Sequence, residues 1–536
     1  MLLSSSPRKT FSRSLHSQVS SQNWHVDIAV YKPPYHFNRR HHYSLGHQVS
    51  DGRGVAPAAT EPSIGIIQHA KHSTLAPQKH TQKTEQDHAL SPSPPSSLAI
   101  LPLSTVLRSL AITTCTSVPA LLGPALSSLS VLAHSKSAIL NPDKNGVLKS
   151  LLRQTIYSQF CAGETPAEVR KTMSDLKQLG YAGVILGYAR EVVMDGDEAS
   201  KMGAQSVKTG REAAEEERRL REIDEWKRGT MQTVELAQEG DFVALKFTGA
   251  GRHALRHLVH GLPPSPDLER AITEICDQAR ERKILLLFDA EQHAVQDTID
   301  AWVLDLQRKY NGSFTMKGKP HALIYNTYQA YLQSTPKTLA RHLAISQRES
   351  FVLGVKLVRG AYLNSDPRHL FWPTKSETDH SYDTIAQCLI TRQYNDFLKR
   401  EETAAAPPPS FPQADLVLAG HNRASVAKAR ALRDEQARRG EPLIKMVYGQ
   451  LQGMADDISC ELVHHSMTAA GGTKHTSGRQ LSGEIPQPYK YLVWGTVGEC
   501  TKYLLRRGHE NRDAASRTRD TRAAMLKELK RRSLLG

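Results

Sequence analysis

Cysteine is scarce in this chain, and no two cysteines stand in a C-x-x-C pair. The six thiols are scattered between Cys115 and Cys500, which excludes a disulfide scaffold and a cysteine-rich zinc module and suits a reducing compartment. Aromatic residues make up only 6% of the chain. The sequence also lacks an H-E-x-x-H motif and any carboxylate-histidine cluster at metal-ligand spacing, so we predict no metal site.

Acidic residues are outnumbered by basic ones. The chain has 69 Lys and Arg against 54 Asp and Glu, a formal net charge of +15. Much of the excess lies near the C-terminus, between Lys502 and Arg532, without an RNA-binding aromatic signature or zinc-finger spacing. We therefore predict no nucleic-acid partner, although a basic structural or nucleic-acid-binding protein remains an alternative. A basic chain also fits mitochondrial import or an anionic substrate.

Residues 1–97 have the composition of a targeting segment followed by a linker. No acidic residue occurs between Met1 and His25, where Arg8, Lys9 and Arg13 stand among many serines. This composition is typical of a mitochondrial transit peptide, with an ordinary disordered tail as the alternative. The remainder, up to residue 97, is rich in His, Pro, Ser and Gln and is interpreted as a low-complexity linker.

Residues 98–180 form a predicted helical N-terminal arm. Residues 109–133 carry no charge, a run long enough to consider a membrane span. Pro119 and Pro124 interrupt this run, so we expect short helices packed on the folded domain, with attachment to a membrane surface as the alternative. A Thr-x-x-Glu capping box at Thr165 and Glu168 predicts the start of a further helix.

From residue 181 to 525, short apolar runs rich in β-branched residues alternate with helical patterns. This alternation predicts an α/β fold with a parallel sheet. Eight runs are typical of a (β/α)8, TIM-like barrel, and a doubly wound sheet is the alternative. The predicted strands are 183–188, 242–247, 284–288, 322–327, 352–358, 416–419, 445–448 and 489–494. The clearest predicted helices are 212–236, 266–280, 292–309, 336–349 and 424–439.

Polar side chains follow almost every predicted strand. In a barrel they would meet at the C-terminal end of the sheet, where such enzymes place their chemistry. A single Asp at a strand end is often only a helix cap, but burying polar groups at strand after strand is costly unless they have a use. The G-x-G-x-x-A run at residues 249–254 lacks the second strand and acid that a dinucleotide-binding unit requires.

The residue types at these positions suggest an organic cofactor. Arg506 and Arg507, with Lys246, have the donors for a carboxylate clamp, and no nucleophile stands beside an evident base. A flat ring could approach the backbone closely at Gly360 and Ala361. Such a set fits a bound cofactor that performs the difficult chemical step. A barrel aldolase that forms a Schiff base on Lys246 is the alternative.

Seven motifs resemble those of the proline dehydrogenase (proline oxidase) family, in its mitochondrial fungal type. They occur in the family's order along the chain. They are Lys-Phe-Thr at 246–248, Phe-Asp-Ala-Glu at 288–291, Gln-Ala-Tyr at 329–331, Lys-Leu-Val-Arg-Gly-Ala-Tyr at 356–362, His-Asn at 421–422, Gln-Leu-x-Gly-Met at 450–454 and Tyr-Leu-x-Arg-Arg-x-x-Glu-Asn at 503–511.

The resemblance implies a distorted (β/α)8 barrel that holds FAD at its C-terminal face. It implies oxidation of L-proline to 1-pyrroline-5-carboxylate, with hydride transfer from proline C5 to flavin N5 and electrons passed to ubiquinone. This would be the first step of proline catabolism, at the matrix side of the mitochondrial inner membrane, with possible peripheral association with that membrane.

The same resemblance assigns residues to the site. On the substrate side, Lys246, Arg506 and Arg507 would grip the carboxylate, organised by Asp289, while Tyr491 would close over the ring and Leu357 and Tyr362 would shape the pocket. The implied flavin contacts are Gln329, Lys356, Val358, Arg359, Gly360, Ala361, His421, Asn422, Gln450 and Glu510.

The chain departs from the family pattern at two positions. Lys356 stands where many bacterial relatives have arginine, and Gly420 stands where a threonine is usual, which removes one hydroxyl near the expected flavin phosphates. Residues 367–383 and 403–412 are interpreted as insertions without an assigned function.

Overall fold

The computed structural model describes residues 96–135, 137–189, 212–401, 410–470, 483–513 and 515–535. All of them fall within one compact unit, His88–Gly536. The predicted transit peptide and nearly all of the predicted linker lie outside the described residues, as do residues 402–409 of the second predicted insertion.

Eight parallel strands close into a ring. The ring order is β2, β3, β4, β7, β8, β9, β10 and β11, and β11 pairs with β2 to complete it. The predicted barrel is therefore confirmed, and the doubly wound alternative is wrong because such a sheet stays open. The strands are β1 (Cys161–Gly163), β2 (Gly183–Tyr188), β3 (Phe242–Leu245), β4 (Leu285–Phe288), β5 (Thr315–Met316), β6 (Lys319–Pro320), β7 (Ile324–Gln329), β8 (Leu353–Val358), β9 (Ala414–Ala419), β10 (Met446–Leu451) and β11 (Pro488–Trp494).

Every predicted barrel strand is present, with shifts at its ends. The largest shift is at β10, which was predicted to end at Tyr448 and continues to Leu451. Gly449 and Gln450 break the apolar run, yet both still pair with β11. Backbone pairing therefore extends the strand beyond the point where its side-chain pattern ends.

Helices surround the ring, and further helices precede its first strand and follow its last strand. Within the described residues they are Leu103–Ser117, Pro119–His134, Gly146–Leu152, Pro166–Gln178, Glu212–Leu236, Arg252–Val259, Pro266–Arg282, His293–Asn311, Thr335–Arg348, Lys375–Thr391, Arg423–Arg438, Asp456–Ala470, Val497–Asp513 and Ala515–Leu535, with shorter turns between them. The predicted capping box is confirmed, since the Thr165 hydroxyl accepts from the backbone N–H of Glu168 and the Glu168 carboxylate returns the bond.

The segment interpreted as an insertion at 367–383 is in part a barrel helix. Helix Lys375–Thr391 connects β8 to β9, and it starts with a capping box between Thr374 and Glu377. The second half of this segment is therefore part of the helical layer of the barrel, and its interpretation as an insertion stays a prediction. The Thr-x-x-Glu signal for this helix was present in the sequence.

Two helices make up the apolar part of the N-terminal arm. Pro119 is the first residue of the second helix, where a missing N–H costs nothing, but Pro124 lies inside that helix, so the expectation that it interrupts the run is wrong. Among the described residues, no single helix is long and apolar enough to cross a membrane; this pair meets that test only jointly, with a 102° bend between its two helices.

Side chains alternate between the interior of the ring and the surrounding helices. On β8, Leu353, Val355 and Leu357 pack in one cluster with helix residues such as Leu343 and Ile385. Because successive strand residues point to opposite faces, the even-numbered residues of β8 face the interior. This parity directs Lys356 into the ring.

Candidate active site

Three polar side chains meet at the C-terminal end of the ring. Lys356 Nζ lies 2.5 Å from Asp289 Oδ1, and the Tyr491 hydroxyl donates to Asp289 Oδ2 at 2.8 Å. The same ammonium lies 5.2 Å from the centre of the Tyr491 ring. Asp289 therefore uses both carboxylate oxygens to join a lysine and a tyrosine.

The contact between Asp289 and Tyr491 crosses the inside of the ring. Asp289 directly follows β4, whereas Tyr491 lies on β11, and β2 and β3 stand between these two strands in the ring. Side chains from non-neighbouring strands can touch only through the interior. The three residues thus form a small polar layer above the apolar barrel core.

The electrostatics of this layer favour a charged carboxylate beside a neutral phenol. Burial opposes ionisation of Asp289, but the charges of Lys356 and Lys246 and the hydrogen bonds from Lys356 and Tyr491 outweigh it, so the pKa of Asp289 lies below its usual value. Burial, together with the Asp289 charge, raises the pKa of Tyr491 well above its ordinary value. Tyr491 therefore stays protonated and able to donate.

Two of the three predicted carboxylate-binding cations, Lys246 and Arg506, lie within electrostatic reach of this layer. Lys246 follows β3 and is close enough for its charge to act on Asp289. Arg506 is likewise close enough for its charge to act on Tyr491. Arg507 is 7% exposed, and its guanidinium lies 5.2 Å from the centre of the Tyr503 ring. Asp289 was expected to organise Lys246, Arg506 and Arg507 by charge; the charge of Lys246 acts on it, and the ion pair with Lys356 was not predicted.

Glu510, a predicted flavin contact, lies on the helix Val497–Asp513 that carries both arginines. Its side chain is outside the part of the chain that the structure describes.

Arg359 forms a second polar cluster just beyond β8. Its Nε lies 2.7 Å from Asp379 Oδ1, its Nη2 donates to Ser425 Oγ at 2.8 Å, and its guanidinium lies 4.2 Å from the centre of the Tyr382 ring. Its Nη1 is buried and has no hydrogen-bond partner among the described residues. A buried donor without a partner is costly, so this atom fits a ligand with an acceptor, such as a phosphate.

Gln329 and Ala361 link the ends of β7 and β8. The Ala361 N–H donates to Gln329 Oε1 at 3.4 Å, and Gln329 Nε2 donates to the Glu291 carbonyl at 3.4 Å. Both predicted contacts therefore lie at the same rim as Asp289, and the side chain of Gln329 already spans two strand ends.

The ring of Tyr331 packs closely against Gly360, so this position favours glycine. Its φ of +145° disfavours other residues, and an added Cβ would stand 2.4 Å from Cδ1 of Tyr331. The Tyr331 ring is held on its other side, stacking on Phe371 with centroids 4.4 Å apart. The flat group against Gly360 on this side is thus a tyrosine of the chain itself.

The predicted contacts at the end of β9 are partly used by the fold. Asn422 Oδ1 accepts from the N–H groups of Ala424 and Ser425 and caps the helix Arg423–Arg438. His421 Nε2 accepts from the Leu451 N–H at 3.0 Å. His421 and Asn422 therefore have a structural use at this rim, whatever else they contact.

Leu357 and Gln450 lie on the helix side of their strands, away from the ring interior. Leu357 is fully buried in the cluster between sheet and helices. Gln450 is bonded to the Gly420 carbonyl and to Ser459 of the helix Asp456–Ala470. Strand parity directs both side chains toward the helices, and their assignment to the site stays a prediction.

Val358 and Tyr362 flank the loop that follows β8. Val358 ends the strand, with its carbonyl accepting from the Ala330 N–H at 2.8 Å. The Tyr362 side chain is half-buried. Both therefore lie at the rim, beside the layer that Lys356 helps to form.

Sequence reasoning missed three groups around the site. Tyr331 fixes Gly360, Asp379 binds Arg359, and Glu291 accepts from the backbone N–H of Thr248 at 3.2 Å. Glu291 was recognised as part of the Phe-Asp-Ala-Glu motif at 288–291, but no site role was assigned to it. Asp379 could have been found only by recognising the helix that begins at Lys375.

A closed α/β barrel with Asp289, Lys356 and Tyr491 joined at its C-terminal rim is typical of barrel enzymes, which place their active sites there. The family model described as "Proline dehydrogenase" matches residues 169–520 of the chain. The chain therefore belongs to the proline dehydrogenase family and is an oxidoreductase that acts on proline.

Curated relatives cover most of the chain. It is similar to the probable mitochondrial proline dehydrogenase of Schizosaccharomyces pombe, with 31% identity over 424 residues, 71% of this chain and 80% of the relative. It is also similar to hydroxyproline dehydrogenase of Bos taurus, with 26% identity over 418 residues, 72% of this chain and 82% of the relative.

A solved structure of proline utilization A from Bdellovibrio bacteriovorus is similar with a TM-score of 0.49 and 15% identity. The match covers 78% of this chain and 40% of that protein, so the chain spans about two fifths of its length.

Proposed function

We propose that the chain oxidises L-proline to 1-pyrroline-5-carboxylate with FAD as cofactor and ubiquinone as electron acceptor, the first step of proline catabolism. The observation that carries this proposal is the Asp289 carboxylate held between Lys356 and Tyr491 inside the barrel rim. When bound, FAD supplies the acceptor for the hydride from proline C5. The buried, unpartnered Arg359 Nη1 supports a phosphate-bearing cofactor at the same rim.

In this proposal the cations divide between substrate and cofactor. Lys246, Arg506 and Arg507 bind the substrate carboxylate, because guanidinium and ammonium groups form charge-assisted hydrogen bonds with it. Lys356 keeps a positive charge near the reacting ring. Tyr491 is held by Asp289 with its phenol protonated, so its ring packs over the substrate in one orientation and excludes water.

The test is the colour of the purified full-length protein. We expect a yellow protein whose flavin spectrum bleaches when L-proline is added without oxygen. Trans-4-hydroxy-L-proline serves as the comparison substrate and should bleach the flavin more slowly. A folded, colourless protein that borohydride links to a carbonyl substrate through Lys246 would support the aldolase instead and refute the proposal.

We further propose that the protein acts in mitochondria, at the matrix side of the inner membrane. The curated relatives that support this carry mitochondrial names. Among the described residues, eight of the sixteen exposed large apolar side chains lie in the N-terminal arm: Leu103, Leu107, Leu121, Val131, Ile139, Leu140, Val147 and Leu151. An exposed apolar patch of this kind marks an interaction surface.

The charge of the arm suits an anionic lipid surface. Asp143 is the one acidic residue in the sequence from 96 to 151, against four Lys and Arg, and its carboxylate accepts from the Gly498 N–H at 2.9 Å. Vesicles containing anionic lipid should therefore retain the protein in a flotation assay. Leu107→Glu with Val131→Glu should release it, whereas Leu220→Glu with Leu443→Glu should not; equal retention of both variants would contradict the assignment of this surface.

A further inference from the structure

Arg359 is held in one orientation by three groups from two separate helices. Asp379 and Tyr382 belong to the helix Lys375–Thr391, and Ser425 belongs to the first turn of the helix Arg423–Arg438. Asp379 binds Nε at 2.7 Å and Ser425 binds Nη2 at 2.8 Å. The planar guanidinium is therefore fixed on two of its three nitrogens, which determines where the third one lies.

The third nitrogen, Nη1, is the buried atom without a described partner. It faces Gly420, since a Cβ added there would stand 3.5 Å from Nη1 and 3.1 Å from the Tyr382 hydroxyl. Threonine, which is usual in the family at this position, would fill this space. The glycine of this chain leaves room for a ligand atom beside Nη1.

The surroundings of this space favour an anion. The helix Arg423–Arg438 begins beside it, and a helix N-terminus favours negative charge. Arg359 lies three residues beyond Lys356 along β8, about 10 Å at the usual rise per residue. The ribityl chain of a flavin whose ring lies near Lys356 can cover that span and bring its phosphates to Arg359.

We propose that Asp379 is a positioning residue that holds Arg359 so that Nη1 binds the diphosphate of FAD in the space left by Gly420. The inference rests on the proposed function, because it takes FAD as the ligand. It assigns a use to the segment that sequence analysis treated as an insertion. The arginine, rather than a threonine hydroxyl, then supplies the phosphate contact in this chain.

The proposal predicts a selective loss of affinity for the phosphate end of the cofactor. Flavin-depleted full-length protein is titrated with FAD and with riboflavin, which lacks phosphate, and binding is followed by quenching of flavin fluorescence. Asp379→Asn should weaken FAD binding about tenfold, the scale of one charge-assisted hydrogen bond, and leave riboflavin binding unchanged.

Asp383→Asn is the matched control. Asp383 lies one turn further along the same helix and binds Lys428 Nζ at 2.7 Å rather than Arg359. This variant should bind both flavins like the wild type, and Asp379→Glu, which keeps the carboxylate, should recover part of the FAD affinity. The KM for L-proline of the FAD-saturated variants should stay unchanged.

Two outcomes overturn the inference alone. In the first, wild type binds FAD and Asp379→Asn binds it equally well. In the second, Asp379→Asn loses affinity for FAD and riboflavin to the same extent, which indicates a general structural role. A wild-type protein that binds neither flavin would instead refute the proposed function.

Discussion

Removing the carboxylate of Asp289 tests the central geometry of the site. Asp289→Ala takes away the acceptor of the Tyr491 hydroxyl and the partner of Lys356, which is only 6% exposed. Hydrogen bonds to charged groups contribute about 1.5–3 kcal/mol each, and removing one partner of a buried ion pair costs about 3–5 kcal/mol. We therefore expect kcat/KM for L-proline to fall by roughly 100-fold or more.

A double-mutant cycle separates this effect from general damage. Tyr491→Phe removes only the hydroxyl and should lower kcat/KM about tenfold or more. Once Asp289 is gone, the hydroxyl has lost its acceptor, so the double variant should lose clearly less than the product of the two single effects. The assay is reduction of a soluble dye by L-proline, and Asp305→Asn, in a pair whose carboxylate is 71% exposed, is the control.

Two results would refute the reasoning. One is an Asp289→Ala enzyme with a kcat/KM within twofold of the wild type and a normal unfolding midpoint. The other is strict additivity in the cycle, which would mean that the 2.8 Å contact between Asp289 and Tyr491 has no influence on the reaction.

Three further predictions follow from single residues. Arg507→Met should raise the KM for L-proline about tenfold or more without changing flavin content, whereas Arg519→Met, at an exposed position, should change neither; an unchanged KM would remove the carboxylate assignment. Gly360→Ala should lower the unfolding midpoint more than Gly440→Ala, because both have positive φ but only Gly360 faces a ring at 2.4 Å; equal losses would show that the ring can move. Burial lowers the pKa of His342 to about 3, below its ordinary value near 6.5, so its neutral form stabilises the fold above pH ~6.5 and this contribution is lost as the pH falls toward 3. His342→Gln should make the free energy of unfolding depend less on pH between about 6.5 and 3. An unchanged slope in this range would contradict the assignment of the pH dependence to His342.

The barrel could be predicted because its signals are local and repeated. Each barrel strand is a short apolar run, and the polar residue after each run has to lie at one rim once the strands are parallel. Lys246, Asp289 and Tyr491 could therefore be predicted from the sequence to lie at the same end of the molecule. The count of eight strands favoured a closed ring over a doubly wound sheet, and the pairing of β2 with β11 closes it.

Partner choice within the rim could not be predicted in the same way. Asp289 was expected to organise Lys246 and the two arginines, and its ion pair with Lys356 was not predicted. The contact joins residues from strands that are not neighbours, so its existence depends on the curvature of the ring and on side-chain length. Likewise, Asp379 lies in a segment that was interpreted as an insertion, and its half-buried carboxylate binds Arg359.

Strand parity decides which residues of the motif at 356–362 face the interior of the ring. Lys356 and Leu357 are adjacent, and of these two only Lys356 faces the interior. A shift of one residue in the pairing of β8 would exchange them, placing a leucine beside Asp289 and a lysine among Leu343 and Ile385. Burying an unpaired ammonium there would cost several kcal/mol. The Asp289 carboxylate therefore does more than bind Lys356, since it also stabilises the one register of β8 in which the site can form.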